Sequence, residues 1–132
     1  MLTEFNEVYS PTYINFVELT IKHEKVHWYE HEAKLSVDVE QWQQGVISNA
    51  EKELIKNILR LFTQADVNVG QAYYDKIIPV IKNNEARNMV GSFAAREATH
   101  QRAYALLSDT LGFGKDFYWE FLDYHEMKEK HE

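Results

Sequence analysis

Apolar residues recur in this sequence at spacings of three and four, and period-two alternation is scarce. The pattern predicts helices and almost no strand. Residues 1–10 show no such period and read as an extended lead-in. Tyr13, Phe16, Leu19, Ile21 and Val26 suggest an apolar helix face that Pro11 opens and that runs to about Trp28. The stretch 35–42 reads as a connector with two apolar anchors, broken at Gly45. Ser48-Asn49-Ala50-Glu51 has the form of a capping box and starts a long helix. Its expected inner stripe is Ile55, Ile58, Leu59, Phe62, Ala65, Asp66, Val69 and Tyr73, and Pro79 kinks or ends it. Asn83-Asn84-Glu85 opens the next helix. Met89, Val90, Phe93, Glu97, His100, Tyr104, Leu107 and Leu111 face inward along it, and Gly112 is its stop. A last helix is expected from about Asp116, with Phe117, Phe121 and Tyr124 inward. The charged residues 128–132 are expected to fray.

Three ionisable residues, Asp66, Glu97 and His100, fall on faces that are otherwise apolar. Burying a lone charge is costly unless it is paired or holds a metal. One carboxylate from one helix and Glu-x-x-His from its neighbour make half of the ligand set of a dinuclear site in a helical bundle. Iron or manganese suits such donors. Tyr104 continues the face one turn beyond His100. It is not needed to hold a metal, but a metal centre that oxidises a side chain needs such a residue. Each residue also has a plainer reading. Glu-x-x-His occurs by chance on surface helices, Asp66 and Tyr104 can be hydrogen-bonded core residues, and Trp28 can be a packing residue. A second Glu-x-x-His, Glu24 to His27, lies among His23, Lys25, Glu30, His31 and Glu32 and reads as solvated. His125 and His131 have no companion ligands at useful spacing. Asn57, Asn68 and Arg102 either bond to the ligands or do nothing there.

The length of 132 residues suits one domain spanning 1–132. With no cysteine there is neither a disulfide nor a thiol nucleophile. A net charge of −7, spread along the sequence, disfavours nucleic-acid binding. No apolar run has the length of a membrane span, and the N-terminus lacks a charged-then-apolar leader. The expectation is a soluble cytoplasmic protein.

Trp28, the run from Phe62 to Asp66 and the run from Phe93 to Tyr104 together resemble the small subunit of class I ribonucleotide reductase. The following residues, 105–112, also look like that family. The ordered combination of an aspartate, a Glu-x-x-His and a tyrosine carries the likeness, which covers roughly residues 12–130. It implies an all-α, ferritin-like helical bundle. It also implies Asp66, Glu97 and His100 as ligands of one iron (manganese in some relatives), with Glu97 bridging to a second metal. Tyr104 would carry the radical formed with dioxygen, and Trp28 would pass an electron during activation. Glu24 and His27 match no ligand of the family.

The family's other ligands, a glutamate and a second Glu-x-x-His, come later than this sequence runs, as does the tail that docks the large subunit. The sequence therefore resembles the N-terminal half of a small subunit and is not expected to be active alone. A reductase large subunit or a separate C-terminal half is a possible partner. Two copies related by a two-fold axis would pool the full ligand inventory, so a homodimer is expected to complete the bundle. Two rivals stand beside this reading. One is a ferritin-like di-metal oxidase or iron-binding protein with its site at a homodimer interface. The other is a metal-free interaction module that keeps the half-site as a relic.

Overall fold

The computed structural model describes residues 2–131, and every regular element among them is helical, as the periodicity requires. The described residues form α1 (Ile14–Lys25), α2 (Ser36–Gln43), α3 (Asn49–Ala72), α4 (Asn84–Thr110) and α5 (His125–His131), with short 3-10 and π turns between them. An all-α protein of this kind is consistent with part of a ferritin-like bundle. The backbone divides into two compact units. One contains the residues up to Trp28 together with Val69–Ala98. The other contains Tyr29–Asn68 together with the residues from Thr99 onward.

In the first unit α1 starts at Ile14, later than Pro11 suggested. The Thr12 N–H donates to Glu85 Oε1 at 2.8 Å, a bond to a side chain just before helical bonding begins. The helix also stops at Lys25, short of Trp28. The N–H groups of Val26 and His27 bond back only three residues, to the carbonyls of His23 and Glu24, and this tightening closes the helix. At the start of α4, Asn83 Oδ1 accepts the Ala86 N–H at 2.9 Å, the cap that the sequence announced. Backbone N–H groups around the buried Glu85 hold its carboxyl below the usual carboxylate value. Ala86, Val90 and Ala94, four residues apart, form the buried line of α4 in this unit. Beyond α3 the backbone widens into a π segment, Tyr73–Ile77, with the Ile78 N–H on the Tyr73 carbonyl at 2.9 Å. Pro79 follows directly and, without an N–H, cannot extend the ladder.

In the second unit the capping box is present in full. The Ser48 N–H and Oγ–H both donate to Glu51 Oε2, at 2.8 and 2.7 Å, and the Glu51 N–H returns to Ser48 Oγ at 3.3 Å. The stretch expected as a connector is instead the helix α2. Leu35, Val39 and Trp42 are the turned-in residues of that stretch, at spacings of four and three, and Trp42 meets the Phe113 ring edge-on at 5.6 Å. The alternation around Val37, which is 53 % exposed, hid that helical face. Gly45, at φ 72°, ends the stretch as expected.

The inner stripe of α3 is shifted from its expected position. Leu59 and Thr63 are buried, whereas Ile58 and Phe62 are 43 % and 45 % exposed. Leu54 is more exposed still, so Leu54, Ile58 and Phe62 form an open apolar line at spacings of four. α4 ends in a Schellman motif at Gly112. The Phe113 N–H reaches the Ser108 carbonyl, the Gly112 N–H reaches the Asp109 carbonyl, and Gly112 takes φ 84°.

The helix expected from Asp116 is replaced by two 3-10 turns, Lys115–Tyr118 and Glu120–Asp123, followed by α5. Phe117 and Phe121 are buried as expected, but Tyr124 is 37 % exposed. The Arg60 guanidinium explains the arrangement: it lies over the Phe117 ring at 4.8 Å and the Tyr124 ring at 5.8 Å, and pairs with Glu120. It covers Tyr124 on one side only. The charged tail expected to fray is helical as far as His131, with a His125–Glu129 pair at 3.1 Å and His131 edge-on to Phe121. Its final residue, Glu132, lies outside the described residues.

Candidate metal centre

Asp66 lies on α3, a helix begun by the Ser48 capping box, and its position is fixed by the helical ladder. The Gln101 side-chain N–H donates to the Asp66 carbonyl at 3.0 Å, tying α3 to α4 at the residue that bears the carboxylate. His100, the neighbour of Gln101, brings Nδ1 to 3.9 Å from Asp66 Oδ2. The Asp66 side chain is 14 % exposed and that of His100 35 %. Glu97 precedes His100 by one turn of α4, so its side chain leaves the helix on the same face. One ligand atom from each of Asp66, Glu97 and His100 lies within 4.8 Å of the others, the only such cluster among the described residues.

The donor set suits a first-row cation. With ligand atoms at about 2.0–2.2 Å from an ion, two of them can be no more than about 4.4 Å apart. The 3.9 Å separation of Asp66 and His100 meets that limit. The widest separation in the cluster exceeds it by less than an ångström at most, within reach of a rotamer adjustment. Two carboxylates and an imidazole are the hard-to-intermediate donors that iron and manganese accept. The three residues therefore fit the group that the sequence pointed to.

Tyr104 follows His100 by one further turn. The Phe62 ring lies beside it, with centroids 6.2 Å apart and planes at 18°. Trp28 belongs to the first unit, beyond the end of α1, and is 37 % exposed. The three polar residues that were candidates to support the ligands bond elsewhere as well. Asn57 accepts from Arg60 at 2.8 Å, and Asn68 lies 3.4 Å from His131. The Nε–H of Arg102 donates to Glu30 at 2.8 Å, which holds the Glu30 carboxyl below the usual range. Glu24 and His27 are exposed, as expected, and in addition line a cavity with His23, Ser92, Ala95 and Arg96. Sequence reasoning did not single out Gln101, whose bond to the Asp66 carbonyl joins residues far apart in sequence.

A profile of the family described as "Ribonucleotide reductase, small chain" matches residues 6–132. The protein belongs to the ribonucleotide reductase small-chain family. It is 43 % identical over 123 residues to a probable ribonucleoside-diphosphate reductase small subunit of Invertebrate iridescent virus 6, a match that covers 92 % of its own length and 34 % of the viral protein. Against the corresponding probable subunit of Invertebrate iridescent virus 3 it is 42 % identical over 110 residues, 83 % of its own length and 29 % of the relative. One ribonucleoside-diphosphate reductase small chain of Arabidopsis thaliana is 32 % identical over 99 residues, 75 % of the present sequence and 28 % of the plant protein. The sequence thus spans about a third of the length of these small-subunit relatives. Among the described residues, no helix is long and apolar enough to cross a membrane.

Proposed function

We propose that this chain supplies one half of the dinuclear metal site of a ribonucleoside-diphosphate reductase small subunit, a protein of the cytoplasm that serves deoxyribonucleotide synthesis with a large-subunit partner. The observation that carries the reading is the convergence of Asp66, Glu97 and His100 in a member of this family. A bound pair of reduced iron or manganese ions supplies, with dioxygen, the oxidising power to remove one electron from a phenol.

The protein's own residues account for the rest. The Asp66 and Glu97 carboxylates would offset the cation charge, and Glu97 would serve both ions, a role it takes from the family pattern alone. His100 would bind through a ring nitrogen that carries no proton. Tyr104 would lose one electron and its Oη proton to the oxidant that the bound ions and dioxygen supply, and would become the stored radical. Phe62, packed along its ring, keeps water from one face. Trp28 takes the electron-relay role from its place in the family pattern alone. The 132 residues act as one domain in this reading, since α3 and α4 each contribute to both compact units.

A second reading is favoured by the open line Leu54, Ile58 and Phe62, which runs up to Asp66 on α3. An apolar face beside a half-set of ligands is suited to cover by a homodimer partner. Two copies, each bringing two carboxylates and an imidazole, would pool the full inventory of a dinuclear site. This arrangement would serve a ferritin-like oxidase as well as a reductase subunit, whereas a relic module would bind no metal at all.

The test is anaerobic ferrous loading of the purified protein, then oxygen, with metal content, molecular mass and electron paramagnetic resonance recorded. The expected result is bound iron that His100→Ala abolishes. A tyrosyl signal that Tyr104→Phe abolishes is expected where the molecular mass is that of a homodimer completing the site, and iron in such a dimer without a radical signal would favour the oxidase. Failure to bind iron or manganese with the fold intact would overturn the metal reading.

A further inference from the structure

We propose that the cavity beside Arg96 in the first unit is a binding site for a small oxyanion, a phosphate or carboxylate group. Arg96 is only 9 % exposed. Its Nη1 is buried and has no hydrogen-bond partner among the described residues, and its Nη2 reaches only the His23 carbonyl, at 3.4 Å. No carboxylate among the described residues lies within ion-pair distance of it. A buried guanidinium in this state is uncommon, because buried charge is tolerated when it is paired and its N–H groups are satisfied. The structure offers space where the missing acceptor can sit. A cavity of about 320 Å³ is lined by His23, Glu24, His27, Ser92, Ala95 and Arg96.

The lining decides the class of ligand. The guanidinium donates from several N–H groups, the His23–Ser92 pair and the His27 ring add further donors, and the planar fork of arginine matches the paired oxygens of a carboxylate or phosphate. A cation would meet the arginine charge, and His23, Glu24 and His27 do not form a metal-ligating cluster. The Ser92 hydroxyl and His23 Nδ1 are bonded to each other at 2.9 Å, and the His23 ring rests edge-on against Phe93, so this wall is pre-arranged. Glu24 is the one carboxylate of the lining, and it is exposed at the rim. It opposes an incoming anion and keeps affinity modest. The site is separate from the metal ligands and does not depend on the metal reading.

The experiment titrates inorganic phosphate, and in a second arm acetate, into the 132-residue protein while the imidazole signals of His23 and His27 are followed by nuclear magnetic resonance. Saturable shifts at those two rings are expected. Arg96→Gln should weaken binding by about tenfold or more, the loss of hydrogen bonds to a charged group. Arg96→Lys, which keeps the charge without the fork, should fall between. Glu24→Gln should tighten binding. Stronger binding of phosphate than of acetate identifies a phosphoryl ligand, and the reverse order a carboxylate. Absence of saturable shifts, or equal shifts in Arg96→Gln, would mean that water alone satisfies the guanidinium and would overturn the proposal. If Arg96→Gln does not fold, Glu24→Gln decides: an affinity unchanged or reduced by that exposed substitution overturns it.

Discussion

Phe62 and Tyr104 lie nearly parallel, ring against ring, one from α3 and one from α4. The pair links a helix that carries one candidate ligand to a helix that carries the other two. Because Phe62 is 45 % exposed, Phe62→Ala removes little buried area, and the expected loss of stability is about 1 kcal/mol, the scale of an aromatic pair. The effect on Tyr104 should be larger. Any radical formed there should decay severalfold faster, as read from the lifetime of its resonance signal, while the urea midpoint moves only slightly.

Phe117 is the opposite case. It is 5 % exposed, with the Arg60 guanidinium over its face and the Phe113 ring 4.4 Å away. Phe117→Ala should cost about 3–5 kcal/mol, enough to unfold a marginal domain, and equilibrium urea denaturation would measure it.

Acid should weaken the fold in a definite window. The carboxyls of Glu30, Glu51, Glu53 and Glu85 are all held below 4.5, chiefly by hydrogen bonds to Arg102, to Ser48, to Lys56 and to backbone N–H respectively. Depressed folded values mean that this stabilisation is complete above the unfolded value and is lost as pH falls through the folded ones. The thermal midpoint should therefore hold steady down to about pH 5 and decline below pH 4.5. Ser48→Ala should lower stability at neutral pH by about 1 kcal/mol and flatten part of that decline.

Alkali acts through Tyr118. Burial, and then its hydrogen bond to Asp109 Oδ1 at 2.8 Å, push its phenol up to about 12. A raised folded value means that the contribution is intact below the unfolded value of 10.0 and disappears as pH climbs through the folded one. Ultraviolet titration should show one phenol ionising later than the rest, and Tyr118→Phe should remove that late step.

Local chemistry made much of the fold legible. Ser48 with Glu51, Asn83 and Gly112 each act as the sequence announced, because capping and left-handed termini depend on residues close in sequence. Glu97, His100 and Tyr104 share one face of α4 for the same reason, by helical geometry alone. The failures depend on residues far away in sequence. α2 was missed because Val37 masks the Leu35–Val39–Trp42 face, which takes its meaning from Phe113. On α3 Leu59 is buried as expected, but Ile58 and Phe62 are open while Thr63 is buried, a choice set by packing that no local period encodes. The 3-10 turns around Phe117 owe their form to Arg60, more than fifty residues earlier.

The outward-facing Leu54, Ile58 and Phe62 also bear on how this polypeptide behaves in a cell or a test tube. A greasy strip along a solvent-facing helix is an adhesive surface, and folding helpers that grasp such strips will compete with any legitimate occupant for it. Yield and monodispersity should consequently improve on co-production with whatever polypeptide covers the strip. Turning Ile58 into a lysine should make the lone polypeptide better behaved and worse at its job.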